Sequence, residues 1–174
     1  MWIYIISGIV ALSLIYAFAT YNTLIRLSIK VMEAFATMDV YLKKRWDLIP
    51  RIVLTVTGYI KYERETLDEV IRIRSGIYDM MSPNDKIYTN EKLNTDISKI
   101  MMVAEKYPDL KTNQNFLDLS TQLSEVENDI ADAGKYYNTM ALIINNNMQM
   151  FPNNMVATLF RFKACRMFEA AAAE

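Results

Sequence analysis

Apolar residues follow one another almost without interruption through the first part of the chain, and residues 1–25 carry no charged side chain. A helix rises about 1.5 Å per residue, so roughly 20 apolar residues cross a bilayer core of about 30 Å. The segment 1–25 therefore predicts a transmembrane helix. Amphipathic aromatic residues, which favour the membrane interface, lie near its two ends: Trp2, Tyr4, Tyr16 and Tyr21.

Two alternatives to a membrane anchor exist for this segment. The triplet Ala17-Phe18-Ala19 has the small residues of a signal-peptide cleavage site. A signal peptide, however, begins with Lys or Arg and has a shorter apolar core. A buried core helix is the other alternative. We expect the anchor.

Basic residues lie only on the C-terminal side of the predicted span, beginning with Arg26 and Lys30. Cytoplasmic flanks of membrane helices carry the excess of Lys and Arg. The asymmetry therefore predicts a single crossing of the cell membrane, with the N-terminus outside and the body of the protein in the cytoplasm.

Beyond the span, apolar positions are spaced three and four residues apart, which is typical of an amphipathic helix. This stripe is expected to extend the anchor helix to about Arg45. Asp47 and Pro50 then predict either a kink or a fresh helix start. The stripe consists of Leu24, Leu27, Val31, Ala34, Met38 and Tyr41.

The same periodicity predicts a second helix from about residue 48 to 80. Glu63 and Arg74 occupy two of its stripe positions, either because the stripe drifts to the edge of a bundle or because they form a buried ionic contact. A loop is expected at residues 82–85. Beyond it, three further helices are expected, at residues 91–106, about 116–144, and 155 to about 172. Asn90 is expected to cap the first of these three helices.

The chain has 174 residues, with only four glycines and four prolines, which disfavours a β-rich or loop-rich fold. The predicted fold is all-α, with an N-terminal transmembrane helix that continues into an antiparallel bundle of about four long helices. The predicted division is an anchor at 1–25 and one helical bundle domain at 26–174.

Several classes of function are disfavoured by composition. The net charge of −1 gives no electrostatic basis for binding nucleic acid. Histidine is absent from the sequence, and the single Cys165 excludes internal disulfides and cysteine zinc sites. We expect neither an enzyme nor a bound cofactor, and we expect Cys165 to be a packing residue rather than a nucleophile.

One acidic face is a candidate metal site. Glu125, Asp129 and Asp132 share one side of the fourth predicted helix. Oxygen ligands alone could hold a hard cation, but bundle metal sites of the known type use histidine as well. A solvated acidic face is the favoured interpretation.

Three polar groups are candidate contacts for a protein partner or for lipid, each with a purely structural alternative. The basic stretch could bind partners or lipid, or pair within the chain. The amide-rich loop could recognise a partner, or cap a helix. The basic and aromatic C-terminal helix could lie in the membrane interface, or dock through Phe160, Cys165 and Phe168. The candidates are Lys43, Lys44, Arg45 and Arg51; Asn113, Gln114 and Asn115; and Arg161, Lys163 and Arg166.

Charge is also divided along the chain. Residues 1–64 contain eight basic and four acidic side chains, and the remainder contains eleven and sixteen. This asymmetry could hold the first part of the chain near anionic lipid, or order its packing against the acidic remainder.

Ordered motifs along the chain resemble those of the LemA family of bacterial membrane-anchored helical proteins. The motifs are YNTLIRL (21–27), EAFATMDVYLKKRWDLIPRIV (33–53), GYIKYE (58–63), AEKYPDLKTNQNF (104–116), ENDIADAGKYYN (127–138), FPNNMVATLFRF (151–162) and FEA (168–170). The resemblance implies a single N-terminal anchor, an antiparallel bundle and no assigned enzymatic activity. A relative in magnetosome-forming bacteria is implicated in forming membrane compartments, and some members are encoded near membrane proteases.

Four positions depart from that family's pattern. Phe35 stands where tryptophan is typical, Tyr62 where histidine is common, and Asp129 and Gly134 where arginines are expected. If the arginines at these positions bind an acidic ligand in relatives, this chain has an altered site or has lost it.

The expected function is a non-enzymatic membrane scaffold or adaptor. The alternative is a membrane-shaping or envelope-stress protein that acts through self-assembly or through lipid contact of the C-terminal helix. The expected partners are the bilayer, through residues 2–25, and unidentified proteins, including further copies of this chain. A hydrolase with a carboxylate-only site is a remote third hypothesis.

Overall fold

The computed structural model describes residues 1–59 and 78–169. Within these ranges every regular element is helical, which confirms the predicted all-α class. Tyr78–Met80 forms a single 3₁₀ turn. The helices are α1 (Trp2–Thr57), α2 (Pro83–Glu105), α3 (Pro108–Lys111), α4 (Gln114–Gln149) and α5 (Asn153–Leu159).

The described residues form two compact units. Unit 1 comprises Met1–Phe35 and Lys135–Met167, and unit 2 comprises the described residues of Ala36–Gly134 and Phe168–Glu174. The two long helices, α1 and α4, contribute residues to both units.

Helix α1 extends beyond the end expected at about Arg45 and contains Pro50 in its interior. A new helix start at this point is therefore wrong. Proline lacks the N–H that would bond the carbonyl of Trp46, which weakens the helix locally. The helix continues because it is buried on both sides of the proline: Ile49, Ile52, Val53 and Val56 are each at most 4% exposed. Glu63 and Arg74 lie outside the described residues.

Helix α2 begins eight residues earlier than the sequence pattern indicated. Ser82 caps it by accepting a hydrogen bond from the Asp85 backbone N–H at 3.3 Å, and Pro83 occupies the first turn, where its missing donor is harmless. The expected loop at 82–85 is therefore a helix start. Asn90, expected to be a cap, is buried in the middle of α2.

Helix α4 confirms the long amphipathic helix predicted over 116–144. Asn113 caps it through Oδ1, which accepts the Phe116 N–H at 3.1 Å. The stripe packs inward as expected, and its buried members are Phe116, Leu119, Leu123, Val126, Ile130, Ala133, Tyr137 and Ile144.

The predicted C-terminal helix, 155 to about 172, is wrong in extent, because α5 ends at Leu159. Arg161 adopts a left-handed conformation with φ 57°. Its N–H bonds the Thr158 carbonyl at 3.2 Å, and the Phe162 N–H bonds the Ala157 carbonyl at 3.0 Å. These paired bonds form a Schellman motif, which closes the helix. Residues 162–169 then continue without regular structure.

Candidate functional site

The first turns of α1 form an apolar surface that unit 1 leaves uncovered. No residue from 1 to 19 is buried, and Leu14 and Phe18 are 66% and 71% exposed. Burial begins at Thr20 (7% exposed) and Leu24 (1%). Among the described residues, α1 is the one helix long and apolar enough to cross a membrane. Only 6% of its most apolar stretch of 18 residues is buried.

Helix α5 lies against the last turns of this apolar surface, within unit 1. The Tyr16 hydroxyl donates to Asn153 Oδ1 at 2.7 Å, and the Thr20 hydroxyl reaches the same oxygen at 3.5 Å. The ring of Phe160 lies 4.6 Å from that of Tyr21, measured between centroids. A groove of about 990 Å³ runs between the two helices, lined by Leu12, Ser13, Ile15, Tyr16, Ala17, Ala19, Pro152, Met155, Val156 and Leu159.

The outward side of α5 and its flanks is also apolar. Val156 and Ala157 pack inward and are at most 6% exposed. The large side chains on the other side are at least 51% exposed: Met150, Phe151, Met155, Leu159 and Phe160. Unit 1 therefore has two neighbouring apolar surfaces, one on α1 and one around α5.

Arg161, Lys163 and Arg166 follow α5 directly, and all three are exposed. By sequence, the ranges of unit 1 contain six basic residues and a single acidic one, Glu33, for a net charge of +5. The ranges of unit 2 then carry −6, since the whole chain carries −1. The apolar surfaces therefore belong to the cationic unit.

The segment after α5 is tied to α4 through its backbone. The Asn145 side chain accepts the Cys165 N–H and donates to the Cys165 carbonyl, both at 2.9 Å. The Tyr137 hydroxyl donates to the Arg166 carbonyl at 2.8 Å. Burial raises the pKa of the Cys165 thiol, which disfavours the nucleophilic thiolate.

Arg45 does not belong to an exposed basic stretch, because it is buried in unit 2 at 3% exposure. Its guanidinium donates to Asn90 Oδ1 (3.2 Å), Asn94 Oδ1 (2.5 Å) and Glu127 Oε1 (3.2 Å). Burial lowers the pKa of Arg45, and the charge of Glu127 opposes that shift. The residue is therefore a structural cation of the core and is not available to an external partner.

A second polar cluster in unit 2, around Tyr78, was not anticipated from sequence. The Tyr78 hydroxyl and the Lys86 ammonium both donate to Asp39, at 2.8 and 2.6 Å. Burial, reinforced by the nearby Asp39 carboxylate, raises the pKa of Tyr78. Lys43 pairs with Asp79 at 3.3 Å and lies 5.3 Å from the Tyr78 ring centroid, so its charge is also used within the unit.

Lys44 and Arg51 remain exposed, and both line a cleft of about 460 Å³ in unit 2. Glu125 and Asp129, two of the carboxylates considered for a metal, line the same cleft. Within the described residues, no three His, Cys, Asp or Glu side chains converge as metal ligands. The cleft is therefore lined by both basic and acidic side chains.

The amide-rich loop is used mainly for helix capping. Besides capping α4, Asn113 donates through Nδ2 to the Tyr59 hydroxyl at 2.7 Å. Gln114 donates to Asp118 Oδ1 at 2.8 Å, one turn further along the helix. Asn115 is exposed and lines a cleft of about 330 Å³ that Arg51 also lines.

The model of the LemA family matches residues 34–174, which is most of the chain. The chain belongs to the LemA family. The curated Protein LemA of Metamycoplasma hominis is 24% identical over 154 residues, covering 88% of this chain and 70% of the relative. This confirms the resemblance found in the motifs.

LemA membership and the uncovered apolar helix together indicate a membrane-associated helical protein. The LemA match begins at residue 34, after the apolar segment and after Arg26 and Lys30. LemA is not known as a family of enzymes, and the name of the Metamycoplasma hominis relative states no reaction.

Proposed function

We propose that this protein is a non-enzymatic, single-pass scaffold of the cell membrane that holds a helical unit at the bilayer for partner proteins. In this proposal the N-terminus lies outside and the body lies in the cytoplasm, because the basic residues Arg26 and Lys30 lie on the C-terminal side of the span. The observation that carries the proposal is the continuity of α1. Residues 2–19 of this helix are uncovered and mostly apolar, whereas Leu42 and Ile52 of the same helix are core residues of unit 2 at 1% exposure.

Orientation is tested with a membrane-impermeant thiol reagent. The single native thiol is removed by Cys165→Ala, and Asn84→Cys supplies an exposed target in the first turn of α2. Ser82 is a poorer choice because its hydroxyl caps α2. Labelling only after the cells are permeabilised supports the cytoplasmic orientation, and labelling of intact cells contradicts it.

The scaffold role is tested by photocrosslinking in cells from the mixed-charge cleft. A photoreactive residue at Gln122 lines the cleft, and one at the exposed Ser124 does not. A discrete product from Gln122, absent from Ser124 and lost when residues 1–25 are deleted, supports a membrane-dependent partner. Identical patterns from both positions, or no product from either, contradict a scaffold acting through this cleft.

A membrane-shaping role through self-assembly is the second candidate, favoured by the apolar residues that α5 exposes beside the anchor. Its test is the shape of vesicles reconstituted with the full chain, viewed by electron microscopy at increasing protein content. Curvature or tubulation that rises with protein density supports shaping, and unaltered spherical vesicles contradict it.

A further inference from the structure

We infer that α5 and its flanking residues 150–160 are immersed in the same bilayer leaflet as the C-terminal half of the membrane helix. They would form a second, non-spanning membrane contact whose partner is the acyl region of the lipid. This inference rests on the anchoring of residues 1–19, and it adds a site in a part of the chain about 130 residues away in sequence.

Depth along α1 is the first argument. The uncovered residues 1–19 span about 28 Å at 1.5 Å per residue, which matches a hydrocarbon core of roughly 30 Å with little excess. The groove shared with α5 begins at Leu12. Leu12, Ile15 and Tyr16, which line the groove, thus belong to the same uncovered apolar run, and a span made of residues 1–19 includes them. A spanning α1 therefore places Met155 and Leu159, which line the groove, at membrane depth.

Hydrogen bonding within unit 1 suits this placement. A side-chain oxygen in hydrocarbon needs an internal donor. Asn153 Oδ1 has one in the Tyr16 hydroxyl, at 2.7 Å. The Schellman motif at Arg161 supplies donors to the Ala157 and Thr158 carbonyls at the end of α5. The last turn of the inserted element is therefore closed by hydrogen bonds, and the Asn153 side-chain oxygen in its first turn has a donor.

Charge supports the same arrangement. The exposed apolar stretch ends at Phe160, and Arg161, Lys163 and Arg166 follow it at once, all exposed. Arg26 and Lys30 hold the corresponding place after the membrane helix. Cations directly beyond an apolar segment favour the anionic headgroups of the cytoplasmic leaflet. The +5 charge of unit 1 thus complements anionic lipid.

Depth-dependent quenching of a fluorophore tests the inference on the full chain. The protein, carrying Cys165→Ala, is reconstituted into vesicles of phosphatidylglycerol and phosphatidylcholine with or without bromines on the acyl chains. One variant carries Met155→Cys, labelled with a small fluorophore. Met102→Cys on α2 is its matched control, because both side chains are 64% exposed, and Ile9→Cys in the membrane helix is the positive control.

The inference expects loss of fluorescence in brominated vesicles at positions 155 and 9, with none at 102. Quenching at 9 without quenching at 155 overturns the inference while leaving the anchor intact. Absence of quenching at 9 overturns both. Quenching at 102 as well overturns it, since the contact would then not be specific to α5.

A charge placed on α5 provides an independent test. Leu159→Glu should abolish quenching at position 155, because a carboxylate would hold α5 out of the acyl region. Leu54→Glu, on a side chain that is 77% exposed in unit 2 compared with 74% for Leu159, should leave it unchanged. Undiminished quenching in the Leu159→Glu protein contradicts the inference.

Discussion

Gly134 of α4 lies so close to the ring of Phe168 that a Cβ at position 134 would lie 2.6 Å from Cδ1 of that ring. Phe168 is 4% exposed, and its buried ring cannot move away freely. The glycine therefore creates the space that the Phe168 ring occupies within unit 2. Its cost to helix α4 is about 1 kcal/mol relative to alanine.

The Gly134→Ala variant should be destabilised despite its better helix propensity. Overpacking of a core costs about 1–3 kcal/mol, compared with a propensity gain of about 1 kcal/mol, so a net loss of about 1 kcal/mol is expected. In a Phe168→Ala background the same change should become stabilising, because the ring is gone. Chemical denaturation of the four proteins in this cycle measures both values, and equal effects in both backgrounds would refute the contact.

Arg45 and Glu127 should show strong coupling in unit 2. Glu127→Gln leaves a guanidinium whose side chain is 4% exposed without its charge partner, and we expect a loss of about 2–3 kcal/mol. Arg45→Met with Glu127→Gln should be more stable than Glu127→Gln alone, because no charge is then buried unpaired. Denaturation midpoints decide the order, and additive losses would argue against coupling.

Alkaline pH should weaken unit 1 through Tyr137. Burial is the main cause that raises the Tyr137 pKa to about 12, from 10.0. Because the folded state holds this proton more tightly, the contribution is complete below pH 10 and is lost as the pH rises towards 12. Relative to Tyr137→Phe, the free energy of unfolding should fall by about 1.4 kcal/mol per pH unit in that window. Parallel profiles for the two proteins would contradict this.

Substitutions at Arg161 should follow the demands of a left-handed residue. At φ 57° glycine carries no steric cost, whereas a β-branched side chain is strongly disfavoured. We expect Arg161→Gly to be neutral or more stable by up to about 1 kcal/mol, and Arg161→Val to be less stable by about 1–2 kcal/mol. Thermal unfolding of both variants, with Lys163→Val as the control, measures the difference. Equal stability of the glycine and valine proteins would exclude the Schellman closure.

The features predictable from sequence were those that repeat along a helix. The stripe of α4, from Phe116 to Ile144, is regular enough to identify both the helix and its buried face. Arg45 shows how one residue type can mislead: three consecutive basic residues suggest a solvated surface. Yet Leu42, Arg45 and Ile49 are spaced by three and four residues, and that spacing contains the signal for burial.

Helix ends were harder because each depends on one local conformation. Arg161 adopts the left-handed conformation that closes α5, a position where glycine is usual. The sequence therefore contains no glycine that would indicate the end of this helix. At Pro50 the sequence predicted a helix start that the structure does not have. Burial of the side chains around the proline outweighs the loss of its backbone hydrogen bond, so α1 continues. The proximity of Tyr16 and Asn153, 137 residues apart, could not be read from any local pattern.

The pair of bonds from Asn145 to Cys165 involves only the backbone of the second residue. These two hydrogen bonds do not depend on the side chain at position 165, because any residue other than proline supplies the same backbone N–H and carbonyl. Substitutions should therefore be tolerated at 165 and be destabilising at 145, where the side-chain amide uses its Nδ2 as the donor and its Oδ1 as the acceptor at the same time. Among diverged relatives, those that retain asparagine at position 145 should also retain the packing of the segment around position 165 against α4.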